Sequence, residues 1–186
     1  DFPGAAPSRP MKFTIPVFAL ALLTACGGGA EEVGDATQAT DSSAAAAIPP
    51  IDLATYGLPL LLTPLDKQFT DGQEPAIVWK DETGTLEVKA GNHFGLVITE
   101  EPGDIPRLKA ALDRDLLQKN TLLSETPEGL TYRSEFPDDP TLVFMHFYQV
   151  VKAGDRTFVV QDLEGQAFNQ QDIDRMMAAI SPKPPA

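Results

Sequence analysis

Residues 51–186 predict an α+β domain, an antiparallel sheet carrying two amphipathic helices as an α/β/α sandwich. Three observations lead there. Short turns join consecutive strand-like runs, which makes neighbouring strands antiparallel. Two segments carry apolar residues at helical spacing. One long run, "TLVFMHFYQVV" (Thr141–Val151), is apolar on both faces, as a strand covered from two sides would be.

The elements follow in order. "YGLPLLLTPL" (Tyr56–Leu65) is apolar but broken by Pro59 and Pro64, which suits an edge strand or an extended lead-in. "AIVWK" (Ala76–Lys80) and "TLEVKA" (Thr85–Ala90) flank "DETG" and predict a hairpin. Leu86 and Val88 alternate with Glu87 and Lys89, which gives one wet face. "FGLVITE" (Phe94–Glu100) keeps that alternation after a Gly91-Asn92 turn. A first helix is capped by Asp104 with Pro106 in its first turn. Ile105, Leu108, Leu112 and Leu116 form its stripe, and Asn120 marks its end.

"TLLSET" and "LTYRSEF" then surround Pro127-Glu128-Gly129, where Pro presets φ and Gly permits a positive one. The doubly apolar strand turns through Lys152-Ala153-Gly154-Asp155 into "RTFVVQDL". A last helix starts at Asn169, with Asp172 completing an approximate capping box. Its stripe is Ile173, Met176, Met177 and Ile180, and Ser181-Pro182 stops it. The predicted order is four strands, helix, four strands, helix.

The succession "LEVKAGNHFGLVITE", amphipathic helix, "YRSEF", "HFYQVVKAGDRTFVVQD" and "FNQQDIDRMMAAI" resembles the PsbP-like fold and the DcrB-like group of small bacterial lipoproteins. The resemblance spans Tyr56 to Ser181 and is one of element order. It implies assembly or binding roles more than catalysis.

The N-terminal part reads as an address. Met11 reads as the true start, with "DFPGAAPSRP" an upstream extension. Lys12 gives a positive n-region, and Phe13–Leu22 an apolar h-region of signal-peptide length. A bilayer needs about 20 apolar residues, so this run is too short to span one. Leu23-Thr24-Ala25-Cys26 resembles the lipobox of bacterial lipoproteins. Cys26 is the only cysteine, so no disulfide within the chain is available. A thiolate is a strong nucleophile and can be alkylated by a diacylglycerol donor. The resemblance implies cleavage before Cys26 and an anchor of two or three acyl chains, each buried CH₂ worth roughly 0.8 kcal/mol. The residue after the cysteine is Gly27 where Asp would signal inner-membrane retention. The expectation is therefore the outer membrane, facing the periplasm, in a Gram-negative cell.

Three regions follow: 1–25 as extension and signal peptide, 26–50 as lipidated cysteine and tether, 51–186 as one globular domain. The tether "GGGAEEVGDATQATDSSAAAAIPP" has almost nothing to bury. As a flexible coil its root-mean-square span is roughly 25–30 Å.

The formal net charge of −13 repels nucleic acid, so no nucleic-acid partner is expected. The chain shows no HExxH, CxxC, Gly-x-Ser-x-Gly or phosphate-loop pattern. No cofactor or metal site is predicted. His146, among Phe144, Phe147 and Tyr148, reads as a satisfied sheet histidine, and His93 as an exposed one. Glu100 and Glu101, with Asp104 nearby, are the acidic-site candidates; solvated turn carboxylates are the competing reading. Trp79 and Phe69 are candidates for an exposed partner surface, with core packing as the alternative for Trp79. The function these features favour is a lipid-anchored, non-enzymatic binding or assembly factor acting through a sheet edge or loop surface. The alternatives are a lipid-anchored hydrolase using the carboxylates and a carrier of an apolar ligand.

Overall fold

The computed structural model describes residues 49–63 and 65–184. Its class is the one expected: mixed helix and strand, antiparallel sheets and two helices. Among the described residues there are two sheets. The larger has seven strands in the order β3-β4-β5-β9-β8-β7-β6, every neighbouring pair antiparallel. These are β3 (Ala76–Lys80), β4 (Thr85–Ala90), β5 (Phe94–Glu100), β6 (Lys119–Thr126), β7 (Gly129–Phe136), β8 (Asp139–Ala153) and β9 (Arg156–Asp162). It joins two meanders, β3–β5 and β6–β9. Helix α1 (Ile105–Leu112) carries the chain from one to the other, and β9 pairs with β5 to seal them.

The smaller sheet runs β1-β2-β10, from β1 (Ile51–Asp52), β2 (Leu60–Leu62) and β10 (Ile180–Pro182). It corrects two expectations. The "LPLLL" run is the middle strand of this sheet, with Leu60 and Leu62 fully buried, not an edge. The C-terminal stop is itself a strand: α2 (Gln170–Ala179) ends one residue before Ile180, and Ile180 pairs with Leu62.

Alternation along β8 and β9 sorts the core into two faces. Phe147, Val151, Phe158 and Val160 belong to the main core with Phe94, Leu96 and Ile98. Ile173 and Met176 of α2 and the leucines of the small sheet close over this face. Tyr148 and Val159 point the other way and pack with Leu130 against Ile105 and Leu108 of α1. The two faces are unequally covered. α2 buries Ile173 and Met176 completely, whereas no residue of α1 is fully buried.

The helix starts are local chemistry. Asn169 Oδ1 accepts from the Asp172 N–H and Asp172 Oδ2 accepts from the Asn169 N–H, both at 3.0 Å, a reciprocal capping box. Asp104 Oδ1 accepts from Arg107 N–H at 2.9 Å. Gly103 precedes it at φ +71, and a Cβ there would lie 2.6 Å from Val150 Cγ2, so a side chain is excluded on two counts.

Helix α1 is shorter than its apolar spacing predicts. It stops at Leu112, and Leu116 is 95% exposed. The cause is Asp115. Its Oδ1 accepts from Leu117 N–H at 2.8 Å and Gln118 N–H at 3.2 Å, so these amides turn to a side chain and not to a helical carbonyl.

Candidate functional site

On the α1 side of the sheet, the uncovered part of the face forms a cavity of about 460 Å³. Its floor is the β7–β8 hairpin, which contributes Tyr132, Ser134, Phe144 and His146. One wall is the loop after α1 with Asp115 and Gln118; the opposite wall is Glu164–Gln166, after β9. The antiparallel register explains the floor: Tyr132 lies opposite His146 and Ser134 opposite Phe144, so their side chains share a face.

The rings are linked pairwise. Tyr132 stacks on His146 from across the ladder at 4.9 Å between centroids, and Phe144, two residues along the same strand, lies 6.4 Å from His146. Phe136 is edge-on to Phe144 at 6.0 Å. Such geometries suit the aromatic quadrupole.

His146 is fixed by Asp162. Its Nδ1 lies 2.8 Å from Asp162 Oδ2. The other carboxylate oxygen accepts from Phe147 N–H at 2.9 Å. Asp162 is the last residue of β9, so its side chain takes the place of a ladder carbonyl opposite β8. A carboxylate accepts only, so in the neutral imidazole the proton sits on Nδ1 and Nε2 is left as an acceptor. Among the described residues Nε2 has no hydrogen-bond partner. The field here is negative. Tyr132's hydroxyl is pushed up to about 12, first by burial and then by the charges of Asp162 and Glu164.

Ser134 is committed elsewhere. Its hydroxyl donates to Asn120 Oδ1 at 2.6 Å, while Asn120 Nδ2 donates to Leu112 O and Asp115 Oδ2. This chain ties the β6–β7 pair to the loop that ends α1.

The expected site residues fall outside this cavity. Glu100 is gripped by Arg156, whose Nε and Nη2 donate to its two oxygens at 2.8 and 2.6 Å; Nη1 donates to Gly57 O at 2.7 Å. Arg156 thus fastens the end of β5 to the turn after Leu53–Tyr56. Asp104 caps α1, and its N–H donates to Tyr148 Oη at 2.9 Å. Glu101 and Asp104 do share a hollow of about 460 Å³ with Arg107 and Tyr148, equal in volume to the cavity beside His146. His93, which begins at the other end of β5, pairs with Asp172 Oδ2 at 3.3 Å and joins no carboxylate of that group. Among the described residues, no three His, Cys, Asp or Glu side chains are placed to hold a metal.

Arg156's hydrogen bonds hold Glu100's carboxyl below its ordinary value of 4.5. A depressed folded value means the pair stabilises above the unfolded value and is lost as pH falls through the folded one. Urea unfolding of Glu100→Gln should therefore show a less stable domain than the parent at pH 7, with the gap closing as pH falls through the depressed folded value. A gap that did not narrow on acidification would locate the effect outside the ion pair.

Phe69 corrects the sequence reading. It is 3% exposed, edge-on to Phe94 and covered by the Arg175 guanidinium at 4.6 Å, so it is a core ring beneath a cation and no partner surface. Trp79 is 40% exposed on the edge strand β3. It lies opposite buried Leu86, at the margin of the core face. Cys26 and the lipobox residues Leu23, Thr24 and Ala25 lie outside the described residues. Among the described residues, no helix is long and apolar enough to cross a membrane.

The alternation of "YRSEF" and "FMHFY" carries a signal for the cavity floor, since it puts Tyr132, Ser134, Phe144 and His146 on one side of a hairpin. Nothing local marks Asp162 as the partner of His146, sixteen residues away. No family model, curated protein or solved structure matches the chain.

Proposed function

We propose that this is a lipid-anchored cell-envelope protein whose domain binds or assembles with an envelope protein and does no chemistry of its own. The lipobox supports the anchor at Cys26, and Gly27 supports an outer-membrane, periplasm-facing placement in a Gram-negative cell. The PsbP-like and DcrB-like kinship belongs to the same reading, supported by two helices against opposite faces of an antiparallel sheet. Of the carboxylates that a hydrolase would use, Glu100 is engaged in a clip and Asp104 in a cap. The space an apolar cargo would need between α2 and the sheet holds Phe94, Phe147, Phe158, Ile173 and Met176.

The observation that carries the partner is the distribution of exposed apolar side chains. Leu116 and Leu117 are 95% and 77% exposed. Leu122 and Leu123 on edge strand β6, and Leu142 and Val143 at the start of β8, are exposed as well. The register sets Lys119 of β6 and Val143 of β8 on either side of Glu135, so the start of β6, which follows Leu116 and Leu117, lies near the start of β8 at one corner of the sheet, and Leu122 and Leu123 continue along the edge. An edge strand offers unpaired N–H and C=O groups, and apolar side chains beside it supply binding energy for an added strand.

A photo-crosslinking residue at Leu117 should give a discrete protein adduct in native envelopes, and one at Val78, on the opposite edge, should not. In the same cells the parent chain should incorporate radioactive palmitate and Cys26→Ser should not. An adduct from Val78 but none from Leu117 would remove the docking surface; palmitate on Cys26→Ser would remove the anchor.

A further inference from the structure

The cavity beside His146 adjoins that apolar corner and has its own chemistry. Its lining is rich in hydrogen-bond acceptors. Asp115 and Glu164 bring carboxylates, and His146 Nε2 brings a lone pair. Among the described residues Glu164 makes no ion pair. Gln166 adds a further acceptor. Its Oε1 is buried against the bare Cα of Gly95 and has no protein partner, an acceptor left unsatisfied beside the cavity wall. Among the described residues no lysine or arginine lines the space. Gln118, Asn120 and Ser134 add neutral polar groups, and Tyr132, Phe136, Phe144 and Leu112 give an aromatic and aliphatic surface.

Each part excludes a ligand class. An anion would meet carboxylates without a counter-cation. A wholly apolar molecule would strip water from Asn120, Glu164 and His146 and return no hydrogen bonds. A molecule with several N–H donors, positive charge and an apolar body satisfies all three: acceptors, negative field and ring surface. The volume suits a small molecule, within the range of about 300–1,000 Å³ typical of ligand sites.

We propose that the cavity bounded by Asp115, Tyr132, Phe144, His146 and Glu164 binds an organic cation, an ammonium or guanidinium head on an alkyl or aryl body. The head pairs with Glu164 and His146 Nε2; Asp115, whose oxygens are taken by Leu117, Gln118 and Asn120, adds negative charge from the facing wall, and the body lies against Phe136, Phe144 and Leu112. The site is formed within one chain and does not depend on the anchor or on the protein partner.

A matched set of probes isolates the charge: benzylammonium, benzyl alcohol and benzoate share a ring and differ in the head. Titrations followed by ¹H–¹⁵N NMR on the full chain should show saturable shifts with benzylammonium at the amides of Gln118, Tyr132, His146 and Gly165. Benzyl alcohol should bind at least about threefold more weakly, the scale of one partly exposed charge pair, and benzoate more weakly still. Glu164→Gln changes an exposed side chain and leaves the fold intact; it should remove most of the gap between ammonium and alcohol. The proposal is overturned by benzoate binding as tightly as benzylammonium, by shifts confined to other residues, or by no saturable shift with benzylammonium at about 10 mM.

Discussion

Phe158→Ala should cost the domain about 3–5 kcal/mol, the range for removing a fully buried aromatic ring. Phe158 is completely buried on β9, the middle strand of the large sheet. It lies opposite Glu100 on β5 and Val151 on β8. The ring therefore sits at the seam where the two meanders meet. It also supports a polar clip from below: the Arg156 guanidinium stands 5.0 Å over the ring while holding Glu100 and Gly57 O. Truncation leaves a cavity and removes the platform under the guanidinium. Phe158→Leu keeps most of the volume and should cost less than half as much. A domain stability of about 5–15 kcal/mol makes the alanine variant marginal. Guanidinium unfolding followed by circular dichroism gives the measurement. A loss below about 1 kcal/mol for Phe158→Ala would mean the seam is held by the strand ladder alone.

That seam also marks the limit of local reading. The β3–β4 hairpin falls on the predicted residues because its cause is local: a β-prone apolar arm, an alternating arm and a turn sequence between them. The same holds for α2, whose start is a reciprocal bond between Asn169 and Asp172. The elements that differ are those decided at a distance. β10 is three residues long, and only its pairing with β2, 118 residues earlier at the Ile180–Leu62 pair, makes it a strand. Phe69 follows a polar "DKQ" and looks like a surface ring; Arg175 of α2, far along the chain, covers it. The end of α1 is a closer contest. Leu116 continues the apolar period, and the carboxylate one residue before it wins by capping Leu117 and Gln118. The β7–β8 alternation held the cavity floor; the walls come from loops placed by α1 and β9.

Asp162→Ala should be the most damaging change outside the apolar core, because two groups lose their partner together. The Phe147 N–H points at Asp162 where the β8–β9 ladder ends, and Phe147 is 1% exposed. A buried donor left unpaired costs about 1–3 kcal/mol, and the bond lost was charge-assisted. His146 loses the acceptor that fixes its ring and tautomer. Asp162→Asn separates these effects. Its Oδ1 can still accept from Phe147, so the ladder survives and stability should recover by more than half. Its amide then faces His146 Nδ1 as a donor. The neutral imidazole must place its proton on Nε2, which converts the cavity's acceptor into a donor. The asparagine variant should therefore fold nearly as well as the parent and lose affinity for benzylammonium, whereas a change confined to structure would move stability and binding together. The Nδ1 and Nε2 chemical shifts of His146 report the tautomer directly. If Asp162→Asn kept the Nδ1–H form, the hydrogen bond to the carboxylate would not be what sets the imidazole.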